Sequence, residues 1–289
     1  MIDYSALRAI QAVIDNQSFE RASRSLNISQ SAVSQRIQNF ESYLGRKLLI
    51  RTAPYKPTET GEVYLSLLRK VTSLEDNLLT IEENSPTVKI AINRDSLDLY
   101  FLKVLSDPEV SKLVTLEIIA SYQDNTLKYL KSGQVDMCIS SQKKALPNHS
   151  SIYLGDMIYS LVCSPEFFKI YFQNGVNKKS LANAPLVVFD KYDKVQHSYL
   201  QESFKLQTFK KINLMPSVPS FKKAILGGFG YGLLPVIDIR RELKNNQLIQ
   251  MNPAKDFSVP LFLHQWEYQL EHIKKFNEKI LAAAKVLVR

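Results

Sequence analysis

The sequence predicts a multi-domain α/β chain: a small helical domain with a wing, one long helix, and a larger domain in which strands and helices alternate. Three observations predict it. Residues 19–44, FERASRSLNISQSAVSQRIQNFESYL, show helical periodicity broken by one polar turn at 27–29. Residues 58–83 keep an apolar seam at heptad spacing. From Thr87 onward, short β-branched and aromatic runs alternate with helical patterns.

In the first part, Asp3 is placed to cap a helix running to about Ile14, with Leu7, Ile10, Val13 and Ile14 turned to a core. A second, short helix over 19–26 carries Ala22, Ser23 and Ser25 where another helix must cross closely. Ser29 caps a third helix, along which Val33, Ile37, Phe40 and Leu44 share one buried stripe. Ser31, Ser34, Gln35 and Gln38 fall on the opposite face, with Gln30 at its leading edge. Uncharged groups that both donate and accept hydrogen bonds suit the reading of base edges in a major groove. A solvated surface helix is the competing reading. Helix, tight turn and polar-faced helix together form a helix-turn-helix pattern. Residues 46–51 read as a short strand, and Thr52 to Pro57 as a turn and return, making a wing.

Thr58 caps the long helix, and Glu59 and Glu62 sit at its positive end. Tyr64, Leu67, Val71, Leu74, Leu78 and Ile81 recur at spacings of three and four, which is a heptad seam. A second copy of the helix is the simplest cover for it; docking on the chain's own later domain is the alternative. Ser85-Pro86 ends the helix and marks a hinge.

Strand-like runs follow at 88–93, 114–120, 136–140, 159–163, 186–189, 212–215, 232–236 and 259–264, with a last helix over 267–287. The alternation implies parallel sheets with crossover helices, arranged as two lobes of periplasmic-binding type. The expected domains are 1–57, a dimerisation linker at 58–86, and 87–289. Lobe I of the last would hold 87–160 and 259–289, and lobe II 161–258.

The net charge of +9 is unevenly distributed. Residues 1–57 hold eight Lys/Arg against four Asp/Glu, residues 58–86 two against six, and the remainder 27 against 18. Charge therefore supports nucleic-acid contact only locally, where Arg36, Arg46, Lys47, Arg51 and Lys56 flank the expected reading helix. The opening MIDYSALRAI lacks the basic start and apolar run of a signal peptide, and no apolar stretch is long enough to span a membrane. Cys138 and Cys163 have neither pair-like nor metal-like spacing, which fits a reduced cytoplasmic protein. The four histidines form no metal-spaced cluster, and no nucleophile motif or phosphate loop is visible. The glycine run at 227–232 follows a helix and leads into a strand, the opposite of a phosphate cradle, so it reads as architecture. An enzyme is not expected, and neither is a cofactor.

Small ligands in α/β lobes sit beyond the carboxyl ends of strands. Four loops there stand out: 93–96, 121–126, Ser140-Ser141 and 190–193. Ser96 is the candidate for a ligand carboxylate, and Asp124 and Asp193 for a ligand cation.

Residues 1–66 resemble the N-terminal domain of LysR-type transcriptional regulators, through ALRAIQAVIDNQSFERASRSLNISQSAVSQRIQNFESYLGRKLLIRT and the following PTETG. The RTAPYKPTETG segment and the C-terminal part are similar to one branch of that family, the ArgP/LysG regulators of basic amino acids. The resemblance spans essentially the whole chain. It implies a dimer or tetramer reading an inverted-repeat operator in double-stranded DNA, with Gln30, Ser31, Ser34 and Gln35 on base edges and Arg36, Arg51 and Thr58 on phosphates. It also implies a small effector between the lobes, lysine or arginine, and contact with RNA polymerase at genes for amino-acid export or synthesis. Residue by residue, Asp95 and Ser96 fit the family's NxDS loop, Gln123, Asp124 and Thr126 its acidic loop, and Asp193 the acid after its FD or FN motif. Ser121 and Tyr122 stand where the branch usually has acids, and Arg94 adds a positive charge beside the pocket. These departures imply weaker affinity for a dibasic ligand, or a different amino acid. An amino-acid sensor without sequence-specific DNA binding is the alternative from another class.

Overall fold

A computed structural model describes residues 1–79, 86–122, 124–267, 269 and 271–287, without the side chains of residues 73 and 76–79. Two compact units emerge: Met1–Lys89 with 115–117 and 128–136, and Ile90–Val114 with 118–127 and Met137–Arg289.

The first unit opens with α1 (Tyr4–Asn16), whose first turn is capped by Asp3 accepting from Ala6 N at 3.0 Å. Helix α2 (Phe19–Ser25) follows, then a turn in which Asn27 takes φ 53°, then α3 (Gln30–Leu44). Ala22 and Ser23 are buried at the crossing, whereas Ser25 is exposed, its hydroxyl turned back to Ala22 O. Two small residues are enough for the close approach. The stripe Val33, Ile37 and Phe40 completes a core with Leu7, Ile10 and Val13.

The wing is shorter than its sequence predicts: β1 (Leu49–Ile50) pairs antiparallel with β2 (Lys56–Pro57). The reason is the buried Glu41 carboxylate, which accepts from the backbone amides of Leu48 at 2.8 Å and Leu49 at 3.1 Å. A side chain supplies the acceptor, so no partner strand is needed there. Helix α4 (Glu59–Leu79) starts against this segment. A Cβ on Gly61 would lie 2.0 Å from Leu48 O, so only glycine fits that crossing.

The start of α4 belongs to the helix-turn-helix core. Leu65 and Leu68 are buried in it, and Tyr64 meets the Phe40 ring edge-on at 5.7 Å. Tyr64, expected on the dimerisation seam, is thus turned inward. Ser66 Oγ donates to Lys131 O at 3.0 Å, and the Arg69 guanidinium donates to Ser132 O and to Glu62. This face is covered by the chain itself. Leu67 and Val71 are half-buried and Leu74 is 46% exposed. Of the remaining seam positions, the Leu78 side chain and all of Ile81 lie outside the described residues.

Most of the second unit is built on a seven-stranded sheet of order β10-β6-β11-β5-β3-β4, with β9 also paired to β6 and the first residues of β3 and β4 counted in the first unit. Its strands are β3 (Thr87–Asn93), β4 (Thr115–Ser121), β5 (Met137–Ser140), β6 (His149–Cys163), β9 (Gly232–Pro235), β10 (Ile249–Gln250) and β11 (Phe257–Trp266). A separate parallel pair joins β7 (Leu186–Val188) to β8 (Ile212–Leu214).

The sheet is mixed, not parallel throughout. Strand β3 runs parallel to β5, but β11 is antiparallel to both β5 and β6, and β6 to β9 and β10. Strand β6 is also three times the predicted length. Its first half pairs with β11, and its second half with β9 and β10, so one strand runs through both lobes. A register shift at Leu261/Phe262 faces Gly155, which holds φ 132°. The last helix is Glu271–Ala283, followed by a short 3-10 turn over Ala284–Val286.

Candidate functional site

Two sites emerge, one in each unit. The first is the outer face of α3. Ser29 fixes its start by accepting from Ala32 N at 3.2 Å, which sets the helix phase. Gln30, Ser31, Gln35 and Arg36 are then exposed and Ser34 half-buried, while Val33 and Ile37 anchor the opposite side. Gln35 Nε2 donates to Asn39 Oδ1 at 2.8 Å, leaving its carbonyl and a second N–H for a base edge. The hydroxyls of Ser31 and Ser29 lie 2.9 Å apart.

The wing is positioned by Glu41, whose side chain is 1% exposed and which also receives Lys47 Nζ at 3.1 Å and Arg51 at 3.5 Å. Burial alone would raise its carboxyl. The amides of Leu48 and Leu49 and the Lys47 ammonium outweigh burial and hold it below the usual range. Arg51 also lies over the Phe19 ring at 5.9 Å. On the far side of the wing, Gln17 bonds both backbone groups of Tyr55, at 2.8 and 2.9 Å. Thr58 has a different role from the expected phosphate contact. Its one hydroxyl proton goes to Lys47 O at 2.7 Å, and its oxygen accepts from Gly61 N at 2.9 Å. It therefore ties the wing to α4 and has no donor left for a phosphate.

The second site is a cavity of about 610 Å³ in the second unit, within the range of small-molecule pockets. It lies where β3 and β4 end, facing the loop after β7 and the helix Lys194–Phe204. Asp95, Asp124 and Asp193 all line it. Ser96 and Ser140 do not. Both are fully buried, and Ser140 Oγ accepts from Gln142 N at 3.2 Å, so neither is available to a ligand in the cavity. Gln123 lies outside the described residues.

The three acids differ in environment. Burial raises the Asp95 carboxyl to about 6, the Tyr159 hydroxyl bond opposing and the neighbouring Asp193, Asp98 and Asp238 charges adding to the rise. Asp193 is a helix cap, accepting from Val195 N at 3.0 Å and from Phe189 N at 3.1 Å. Burial raises its carboxyl, against those amide bonds. Asp124 pairs with Lys194 at 2.9 Å and accepts from Ser141 Oγ at 3.3 Å.

Aromatic rings from both lobes complete the walls. Tyr159 stands under Asp95, and Tyr122 donates its hydroxyl to Asp190. The Arg94 guanidinium lies over the Tyr122 ring at 5.4 Å and over the Phe189 ring at 4.9 Å. The sequence marked the loops and Tyr122, but not Tyr159 or Phe189, because an aromatic at a strand end looks the same whether it fills a core or a cavity wall.

Among the described residues no group of His, Cys, Asp and Glu could hold a metal ion, and no helix is long and apolar enough to cross a membrane. Burial pushes both the Cys138 and the Cys163 thiol up to about 12, which removes them as nucleophiles at neutral pH.

A helix-turn-helix head with a buried-carboxylate wing, and a separate two-lobed domain holding a small-molecule cavity, define a ligand-responsive DNA-binding regulator. The chain belongs to the LysR family of bacterial regulators: residues 4–62 match the bacterial regulatory helix-turn-helix protein, lysR family, and residues 105–268 the LysR substrate binding domain. It is 38% identical over 290 residues to the HTH-type transcriptional regulator ArgP of Vibrio cholerae, covering 98% of this chain and 97% of that one. Identity to ArgP of Vibrio parahaemolyticus is 35% over 286 residues, 97% and 96% of the two chains. Among solved structures it is similar to ArgP from Mycobacterium tuberculosis, with a TM-score of 0.88, 25% identity and coverage of 100% and 99%. Full-length LysG from Corynebacterium glutamicum with bound effector Arg superposes with a TM-score of 0.84, at 27% identity and full coverage of both chains. These relatives are regulators of transcription and not enzymes. A sensor without DNA binding is set aside by the family match over the whole head.

Proposed function

We propose that this regulator senses a basic amino acid, arginine or lysine, and acts on genes for amino-acid export or biosynthesis in the cytoplasm. The observation that carries the reading is the cavity itself, where Asp95, Asp124 and Asp193 converge among aromatic rings. A ligand ammonium or guanidinium gains from both, through ion pairing and through the ring faces. The bound arginine of the similar LysG supports the same choice.

Two copies, or four, present α3 to the half-sites of an inverted repeat. Gln30, Ser31, Ser34 and Gln35 meet base edges, and Arg36 and Arg51 hold the phosphates. Leu67, Val71 and Leu74 supply the seam between the α4 helices. Effector bound in the cleft favours one arrangement of the oligomer, which changes DNA bending or contact with RNA polymerase.

The test is fluorescence anisotropy of the protein on its own upstream DNA and on a scrambled duplex, titrated with arginine and with lysine. A preference for the upstream DNA that one of the two shifts is expected. A preference that neither amino acid shifts would reject the basic-amino-acid reading while leaving the regulator.

A further inference from the structure

We propose that Arg94 is the carboxylate anchor of the cleft and the residue that makes the regulator select ligands carrying a free α-carboxylate. The inference rests on the reading that this cavity binds an amino acid. It concerns which end of the ligand is read and by what.

Arg94 lines the cavity, and its guanidinium contacts two rings, with Cζ 5.4 Å from the Tyr122 centroid and 4.9 Å from that of Phe189. The segments that carry both rings are tied down. The Tyr122 hydroxyl is tied to Asp190, and the Phe189 backbone amide to Asp193 at 3.1 Å. A guanidinium that meets rings through its π-face keeps its in-plane N–H groups for other partners. That planar fork matches a carboxylate and is pre-organised before the ligand arrives.

Three other donors in the wall already have partners. Lys194 is already engaged by Asp124 at 2.9 Å, and Lys191 lies over its neighbour Tyr192 at 4.9 Å. The Gln196 amide is taken at both ends by the Leu233 backbone, at 2.7 and 3.0 Å. Ser96, the hydroxyl that the sequence suggests, is fully buried and away from the lining.

An independent observation concerns the residue before Arg94. Asn93 is 5% exposed and lines the same wall, and its Oδ1 has no hydrogen-bond partner. A buried carbonyl left unpaired calls for a donor from the ligand. Asp95, on the other side, calls for a cation. Three consecutive residues thus offer an acceptor, a bidentate cationic donor and an acid, the complement of an α-amino acid's ammonium and carboxylate.

The experiment is a thermal-shift panel on the full chain, using the proteinogenic amino acids and their carboxamides, followed by calorimetry on the ligands that bind. Arg94→Met keeps an unbranched apolar side chain in the wall and removes the fork; Arg94→Lys keeps the charge and guards against a folding failure of the first variant. The wild type is expected to bind an amino acid and to lose about 10- to 100-fold in affinity for its carboxamide. Arg94→Met should bind acid and amide alike, at the weaker level, with Arg94→Lys between. Equal binding of acid and amide by the wild type would overturn the proposal. So would tighter arginine binding by Arg94→Met, which would make Arg94 an internal competitor filling a niche meant for the ligand's guanidinium. A wild type that selects the free acid of a neutral amino acid and ignores arginine and lysine would keep Arg94 as the anchor and sink the basic-amino-acid reading. No binding of any panel member would end both.

Discussion

At the scale of single residues, Gln35, Asp95 and Glu41 carry separate consequences. Gln35 presents a carbonyl and an N–H from an exposed position on α3. Gln35→Ala is expected to weaken operator binding by roughly 1–3 kcal/mol and leave binding to random DNA unchanged, measured by anisotropy on both duplexes. Asp95 titrates near 6 in the ligand-free fold, well above the ordinary carboxylate value of 3.8. Ionised, it destabilises the fold, so its contribution worsens as pH rises through about 6 and is relieved below that. Asp95→Asn should therefore raise the melting temperature of the free protein at neutral pH, while weakening a cationic ligand. For the same reason arginine binding should fall about tenfold between pH 7 and pH 5, read by calorimetry, because the bound cation requires the ionised acid. Glu41 has the opposite sign. Its carboxyl is held below 4.5, so it stabilises the fold above that value, and the contribution is lost as pH falls through its lowered pKa. Glu41→Ala leaves two buried amides unpaired and should cost about 2–4 kcal/mol in urea unfolding.

At the scale of elements, α4 divides along its length. Its first half, with Tyr64, Leu65 and Leu68, completes the head, and its second half leaves Leu74 exposed. Leu74→Asp should weaken self-association without unfolding the head, seen as a shift toward monomer in sedimentation with an unchanged helical signal. Periodicity made every helix of the head legible, because capping and the three-to-four spacing are local. It could not assign Tyr64. A seam position and a core position one turn into the same helix share the same spacing, and only the Phe40 ring decides between them. Most strands were legible for a similar local reason, but β10, the first ten residues of β6 and the strand directions were not. Pairing of β6 with β11 joins residues far apart in sequence, and the polar and glycine-containing start of β6, HSSIYLGD, hides its strand character. Within the cleft, the acidic loops were visible as motifs, whereas the loss of Ser96 to the interior depends on how β3 turns into the next helix. That turn buries Ser96 and leaves its two predecessors, Arg94 and Asp95, on the wall.

At the scale of the whole molecule, the basic balance of the chain is a poor guide to where DNA goes. The +9 total comes from the C-terminal region, and the head's +4 is offset by the −4 of residues 58–86. Binding should accordingly follow the few cations around α3 and the wing. Replacing Arg46 with Gln is expected to reduce the slope of log affinity against log salt by about 1.8 for a dimer, one phosphate per subunit. An unchanged slope would take Arg46 off the DNA. The long strand β6 has a consequence for how the chain is made. The head has all of its buried core by Leu68, so it can fold early on the ribosome. Strand β6 must wait for β11, about a hundred residues later, before its central pairing exists. Each nascent chain therefore carries the apolar core of its reading head complete while β6 still lacks its main partner strand.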